Sequence, residues 1–189
     1  EFGLEQLAAD GELEAASRFH AEHFLAFARR AHVVPYNVDQ AASVRQLDRL
    51  SSERTNLIQG FDFLCRPETA EQCMLFATPM AELWRTRGPY TEGQARIMRA
   101  IELAPAEPSV EKIHLLFWAS YLVGMLPDRK TGLRIAQACV DTAEQAGSLA
   151  DRAAALQTLA FIHEYHEEFD LARPLYQQII PIWETLGND

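Results

Sequence analysis

The sequence predicts an all-α chain in which antiparallel helical hairpins stack into an α-solenoid. Three observations carry this prediction. Small residues placed to open the second helix of a hairpin stand at Gly93, Gly132 and Ala172, at nearly constant intervals of 39 and 40 residues, and a period of 20 to 50 residues marks a repeat array. Apolar residues return every three or four positions, while no segment sustains the alternation a half-buried strand needs. Breakers fall between the helical stretches, at Gly88-Pro89, Pro105, Pro108, Pro127 and Gly147, where they end one helix and release the next.

The elements follow in order. Over 12–32, Leu13, Ala16, Phe19, Phe24, Phe27 and Ala28 recur at helical spacing and predict an amphipathic helix with an aromatic stripe. Pro35 ends it, and Asp39 is placed to cap a second helix whose apolar side carries Ala42, Leu47 and Leu50. Ser51-Ser52 is expected to bend that helix, with Leu57, Phe61 and Leu64 continuing its apolar side until Pro67. First helices of the hairpins are expected over 69–87, 109–125 and 149–167, and second helices over 91–103, 129–146 and 170–186. Pro174 fits the first turn of its helix, whereas Pro79 and Pro181 are interior and predict kinks. The organisation that results is an N-terminal helical arm over 1–67 and hairpins over 68–105, 108–147 and 148–187.

Composition narrows the function classes. The 189 residues are 48% hydrophobic, enough for a continuous core, and the formal net charge of −10 opposes general attraction to nucleic acid or anionic membrane. Cys65, Cys73 and Cys139 are odd in number and far apart in sequence without a Cys-x-x-Cys pair, so they read as buried thiols in a reducing cytosol. Apolar runs such as Leu115 to Met125 are too short to cross a bilayer, and a cytoplasmic location is expected. Glu1-Phe2, without an initiator Met, reads as the remnant of a cloning site and leads us to expect a fragment of a longer protein.

The hairpins resemble tetratricopeptide repeats. The third copy matches best, through Leu156, Leu159, Ala160, Ala172, Tyr176 and Ile179; the first keeps Ala81, Gly93, Ala100 and Pro105, and the second Leu116, Ser120, Gly132 and Ala136. The spacing exceeds the 34 residues usual for that family, implying longer helices or loops. The N-terminal third, Arg18-Phe19-His20-Ala21-Glu22-His23-Phe24-Leu25-Ala26-Phe27-Ala28 with Leu47-Asp48-Arg49-Leu50 and Glu53-Arg54-Thr55-Asn56-Leu57, resembles the connector of bacterial signal-transduction ATPases, among them LuxR-type and SARP-type transcriptional regulators. The resemblance implies a right-handed superhelix serving as a sensor joined to an ATPase core. This chain itself carries no Gly-x-x-x-x-Gly-Lys-Ser/Thr loop and no helix-turn-helix reader.

Candidate sites were weighed against packing. His20 with His23 and His163 with His166 stand three apart, but each pair lacks evident further ligands, and neither metal nor cofactor is expected. Glu164, Glu167, Glu168 and Asp170 read as a solvated acidic turn, and no nucleophile motif points to catalysis. In tetratricopeptide stacks the first helices line the concave groove. The resemblance implies that Thr78, Glu82, Arg85, His114, Phe117, Tyr121, Gln157, Phe161 and Glu164 face a peptide, protein or small effector there. Against this stands the reading in which Phe117, Tyr121 and Phe161 simply fill the core between repeats. The last helix, with Leu175, Tyr176, Ile179, Ile180, Ile182, Trp183 and Leu186, is more apolar than one neighbour can cover and suggests self-association. A non-catalytic sensor and interaction region of a bacterial regulator is the expectation, with a free-standing adaptor as the alternative.

Overall fold

The structure, a computed structural model, describes residues 11–31, 40–125 and 129–187. Among the described residues the chain is all-α, with no strand. The helices are α1 (Leu13–Ala31), α2 (Gln40–Ser52), α3 (Arg54–Leu64), α4 (Ala70–Arg87), α5 (Tyr90–Leu103), α6 (Val110–Gly124), α7 (Arg129–Ala146), α8 (Leu149–Tyr165) and α9 (Phe169–Leu186), with a 3-10 turn at Pro67–Thr69 before α4. Pro35, Asp39 and Pro127 lie outside the described residues.

Local chemistry explains most boundaries. Ser109 caps α6 by accepting the Lys112 N–H at 3.1 Å, and Ser148 opens α8 through a reciprocal capping box with Asp151. Gly88 ends α4 at φ 62°, a conformation that L side chains rarely adopt, with its N–H on the Trp84 carbonyl. Where a bend was expected at Ser51-Ser52, the helix instead ends and α3 begins two residues later. The Ser52 hydroxyl donates to the Arg49 carbonyl at 2.8 Å, the local competition that makes serine a weak helix former. Pro174 is the sixth residue of α9, past the first turn where it was expected, and Pro79 and Pro181 are helix-interior as expected.

The expected aromatic stripe of α1 is buried only in part, with Phe24 and Phe27 packed against the core. Ala21, Leu25, Ala28 and Ala31 are buried, whereas Phe19 is 75% exposed. Small residues let α1 lie close to its neighbours: a Cβ on Gly60 of α3 would come within 3.3 Å of the Ala21 Cα.

Packing is regular. α4 with α5, α6 with α7 and α8 with α9 form antiparallel pairs, and the first helices α4, α6 and α8 lie side by side in that order. The N-terminal helices gather on α4, where Phe61 of α3 meets Phe76 and Trp84 edge-on at centroid distances of 6.0 and 5.9 Å. Arg96 of α5 strengthens this junction, holding Asp62 of α3 in two hydrogen bonds of 2.8 and 2.9 Å and Glu92 at 2.8 Å. Gly93 and Gly132, the fourth residues of α5 and α7, sit at close approaches within their pairs. A Cβ on Gly93 would lie 2.3 Å from the Trp84 ring, and one on Gly132 would lie 2.6 Å from the Cα of Gly124. Ala172 is buried at the corresponding place on α9.

Candidate functional site

The row α4–α6–α8 brings together aromatic residues that are separated in sequence. Phe117 packs edge-on against Trp118 (5.1 Å between centroids) and at a tilt against Tyr121 (5.1 Å). Tyr121 then crosses to Phe161 on α8 at 4.7 Å, and Phe161 continues to Tyr165 at 6.1 Å. From α4, the Arg85 guanidinium lies 5.4 Å from the centroid of the Trp118 ring, within cation–π reach. The ladder rises from core to surface: Phe117 and Trp118 are buried, Tyr121 and Phe161 half-buried, and Tyr165 exposed.

Its polar members have defined environments. Burial pushes the Tyr121 phenol up to about 12, against the opposing pull of the Arg85 charge. The Tyr176 hydroxyl donates to Glu164 at 2.6 Å, and burial together with that carboxylate raises its pKa. His114 meets Asp151 at 3.3 Å and helps line a cleft of about 200 Å³ between α1, α4 and α6, beside Arg29, Thr78 and Glu111. A shallower cavity of about 450 Å³ lies at the far end of the chain, walled by Glu164, Phe169, Tyr176 and Ile180.

Not every expected groove residue faces open space. Thr78 and Glu82 are buried on α4, with the Thr78 hydroxyl donating to the Met74 carbonyl at 3.3 Å, and Phe117 is buried on α6. Neighbouring helices cover all three, although Thr78 still borders the cleft beside His114. Arg85, His114, Tyr121 and Phe161 keep partial exposure, while Gln157 and Glu164 are exposed. Trp118 and Tyr165 also belong to the ladder and were missed. Tyr165 is legible in retrospect as Phe161 plus one helical turn, but Trp118, adjacent to Phe117, has no periodic signal.

Each histidine of the candidate pairs has its own neighbour. His163 Nδ1 is 2.8 Å from Glu168, His166 Nε2 is 3.2 Å from the Gly124 carbonyl oxygen, and His20 and His23 both pack against Phe24. Among the described residues no three His, Cys, Asp or Glu side chains gather as a metal site. The expected solvated acidic turn is partly paired instead: Glu168 bonds His163 and Arg129, whose hydrogen bonds and charge hold its carboxyl below the usual range. The thiols of Cys65 and Cys73, far apart in the sequence reading, are neighbours here. Comparison with protein-family models, with curated proteins and with solved structures finds no match.

Proposed function

We propose that this chain is a non-catalytic, tetratricopeptide-type sensor and interaction region of a bacterial cytoplasmic regulator. In this reading the hairpins 68–105, 108–147 and 148–187 stack as a right-handed solenoid, and 1–67 is the connector arm. The observation that carries it is the aromatic ladder running from Trp118 to Tyr165 across two first helices, with a cation at its inner end. Partly exposed aromatic faces give a bound segment apolar area and stacking, and Arg85, Gln157 and Glu164 fix its orientation. Binding shifts the angle between neighbouring hairpins, and the packing of α1 and α2 on α4 passes that shift to the arm. Only a ligand with different affinities for the two arrangements can do this.

Selection of a random peptide library on the purified chain, followed by titration calorimetry with the enriched peptide, tests the groove. Phe161→Ala is expected to weaken binding at least tenfold, about 1.4 kcal/mol. Unchanged affinity in Phe161→Ala and Tyr121→Ala removes the ladder as the site. The reading frame upstream of residue 1 tests the regulator: a phosphate-binding loop in frame supports it, while an isolated short gene supports an adaptor. The exposed Leu171, Ile180 and Leu186 of α9 favour a further covering element, either another hairpin or a second copy of the chain.

A further inference from the structure

We propose that Cys65 and Cys73 form a peroxide-sensitive dithiol that closes into a disulfide across the junction of α3 and α4. The inference is independent of the groove. Cys65 caps the C-terminus of α3 and Cys73 is the fourth residue of α4, so the pair spans the 3-10 turn that joins the N-terminal helices to the hairpins. Their sulfurs are 2.8 Å apart, with the Cys73 thiol donating to Cys65 Sγ. Less than about 1 Å of further approach brings them to disulfide length.

The surroundings hold this arrangement. The Thr69 hydroxyl donates to the Leu64 carbonyl at 2.7 Å, and the Arg99 guanidinium donates to the Cys65 carbonyl at 3.0 and 3.3 Å. The turn is therefore fastened on both sides of Cys65. The two thiols are chemically unequal. The hydrogen bond from Cys73, aided by the positive charge of Arg99, lowers the Cys65 pKa, while donation to Cys65 and burial raise that of Cys73. The Arg99 guanidinium, seated on the Cys65 carbonyl, favours negative charge at the Cys65 end of the pair, which makes Cys65 the attacking sulfur and Cys73 the resolving one. Cys139 lies on α7, contacts the Ile113 carbonyl oxygen at 3.5 Å and has its pKa raised by burial, so it takes no part.

Hydrogen peroxide is the oxidant. The Cys65 thiolate attacks one peroxide oxygen and breaks the O–O bond; the departing hydroxide takes a proton to become water, leaving Cys65 as a sulfenic acid. The Cys73 sulfur then attacks the Cys65 sulfur, its thiol proton is lost, and the displaced hydroxide leaves as a second water. Two thiols and one peroxide thus yield one disulfide and two waters. Both side chains are almost wholly buried, 1% and 0% exposed, so oxidation follows a local opening of the turn, and a small oxidant reacts faster than a bulky one such as oxidised glutathione. The product fixes the turn and with it the approach of α3 to α4. A dithiol reductant reverses the step by exchange.

Intact-mass measurement of the purified chain after one equivalent of peroxide tests the proposal. The expected result is loss of two hydrogens, restored by dithiothreitol. Complete Glu-C digestion should release the peptides 54–68 and 72–82 as one linked species by mass spectrometry before reduction and as two after it. Cys65→Ser and Cys73→Ser should abolish the linkage, and Cys139→Ser should retain it. Oxygen addition at Cys65 without a cross-link, a bond that includes Cys139, or persistence of the mass loss in either single variant overturns the proposal. Circular dichroism checks that the variants fold; if a serine variant does not, the wild-type cleavage map decides alone.

Discussion

Gly132 and Gly93 show how a single missing methyl group sets the distance between two helices. Replacing glycine with alanine in a helix ordinarily gains about 1 kcal/mol of helix propensity. At Gly132 the added Cβ meets backbone, the Gly124 Cα at 2.6 Å, so α6 and α7 must separate. At Gly93 it meets the fully buried Trp84 ring instead. Gly132→Ala and Gly93→Ala are each expected to be net destabilising by about 1–3 kcal/mol in urea unfolding, the second because the added methyl meets the Cβ and Cγ of the fully buried Trp84, which cannot swing aside. Gly60→Ala, whose Cβ would find its nearest atoms at 3.2 and 3.3 Å, should be the mildest of the three. Tyr121 gives a residue-scale pH prediction. Its folded pKa of about 12 exceeds the ordinary 10, so the folded chain retains a proton that the unfolded chain loses. Its stabilising contribution is complete below pH 10 and falls as pH rises from 10 towards 12. Thermal unfolding at pH 9 and pH 11 checks this, with Tyr121→Phe expected to lessen the decline.

At the scale of elements, capping chemistry makes boundaries readable. Ser148 accepts the Asp151 N–H, and Asp151 in turn accepts the Ser148 N–H at 2.9 Å. Ser148→Ala is therefore expected to cost about 1 kcal/mol in chemical unfolding. Asp151→Ala should cost more, since it also removes the contact with His114 on α6. Helices with these signals, α6 and α8, start within one residue of the expected positions. The break between α2 and α3 was less legible. A Ser-Ser pair signals weak helix without deciding between a bend and a stop. The buried face of α1 was legible in part: Ala28 is buried and Phe24 and Phe27 pack against the core, whereas close helix contact also selects Ala21 and leaves Phe19 outside.

For the whole molecule, the ends matter as much as the groove. α9 leaves Ile180 55% and Phe169 57% exposed, and the two wall one shallow cavity, an apolar face at the open end of the row. If a second copy covers it, sedimentation velocity should show concentration-dependent association that Ile180→Glu removes. A monomer at all concentrations would argue instead for another covering element. At the opposite end, α3 is held to α4 by Phe61 and to α5 by the Asp62–Arg96 pair and the bonds from Arg99 to the Cys65 carbonyl.

The sequence by itself determined the all-α class, the six hairpin helices to within about two residues, and the positions of the small residues, because helical periodicity, caps and breakers are local properties of the chain. Only the tertiary structure decided which groove candidates are covered, which aromatics join into a ladder, and that Cys65 and Cys73 meet. Those outcomes depend on the distance and rotation between helices. Both are set by packing among residues remote in sequence, and periodicity along one helix carries no information about its neighbour.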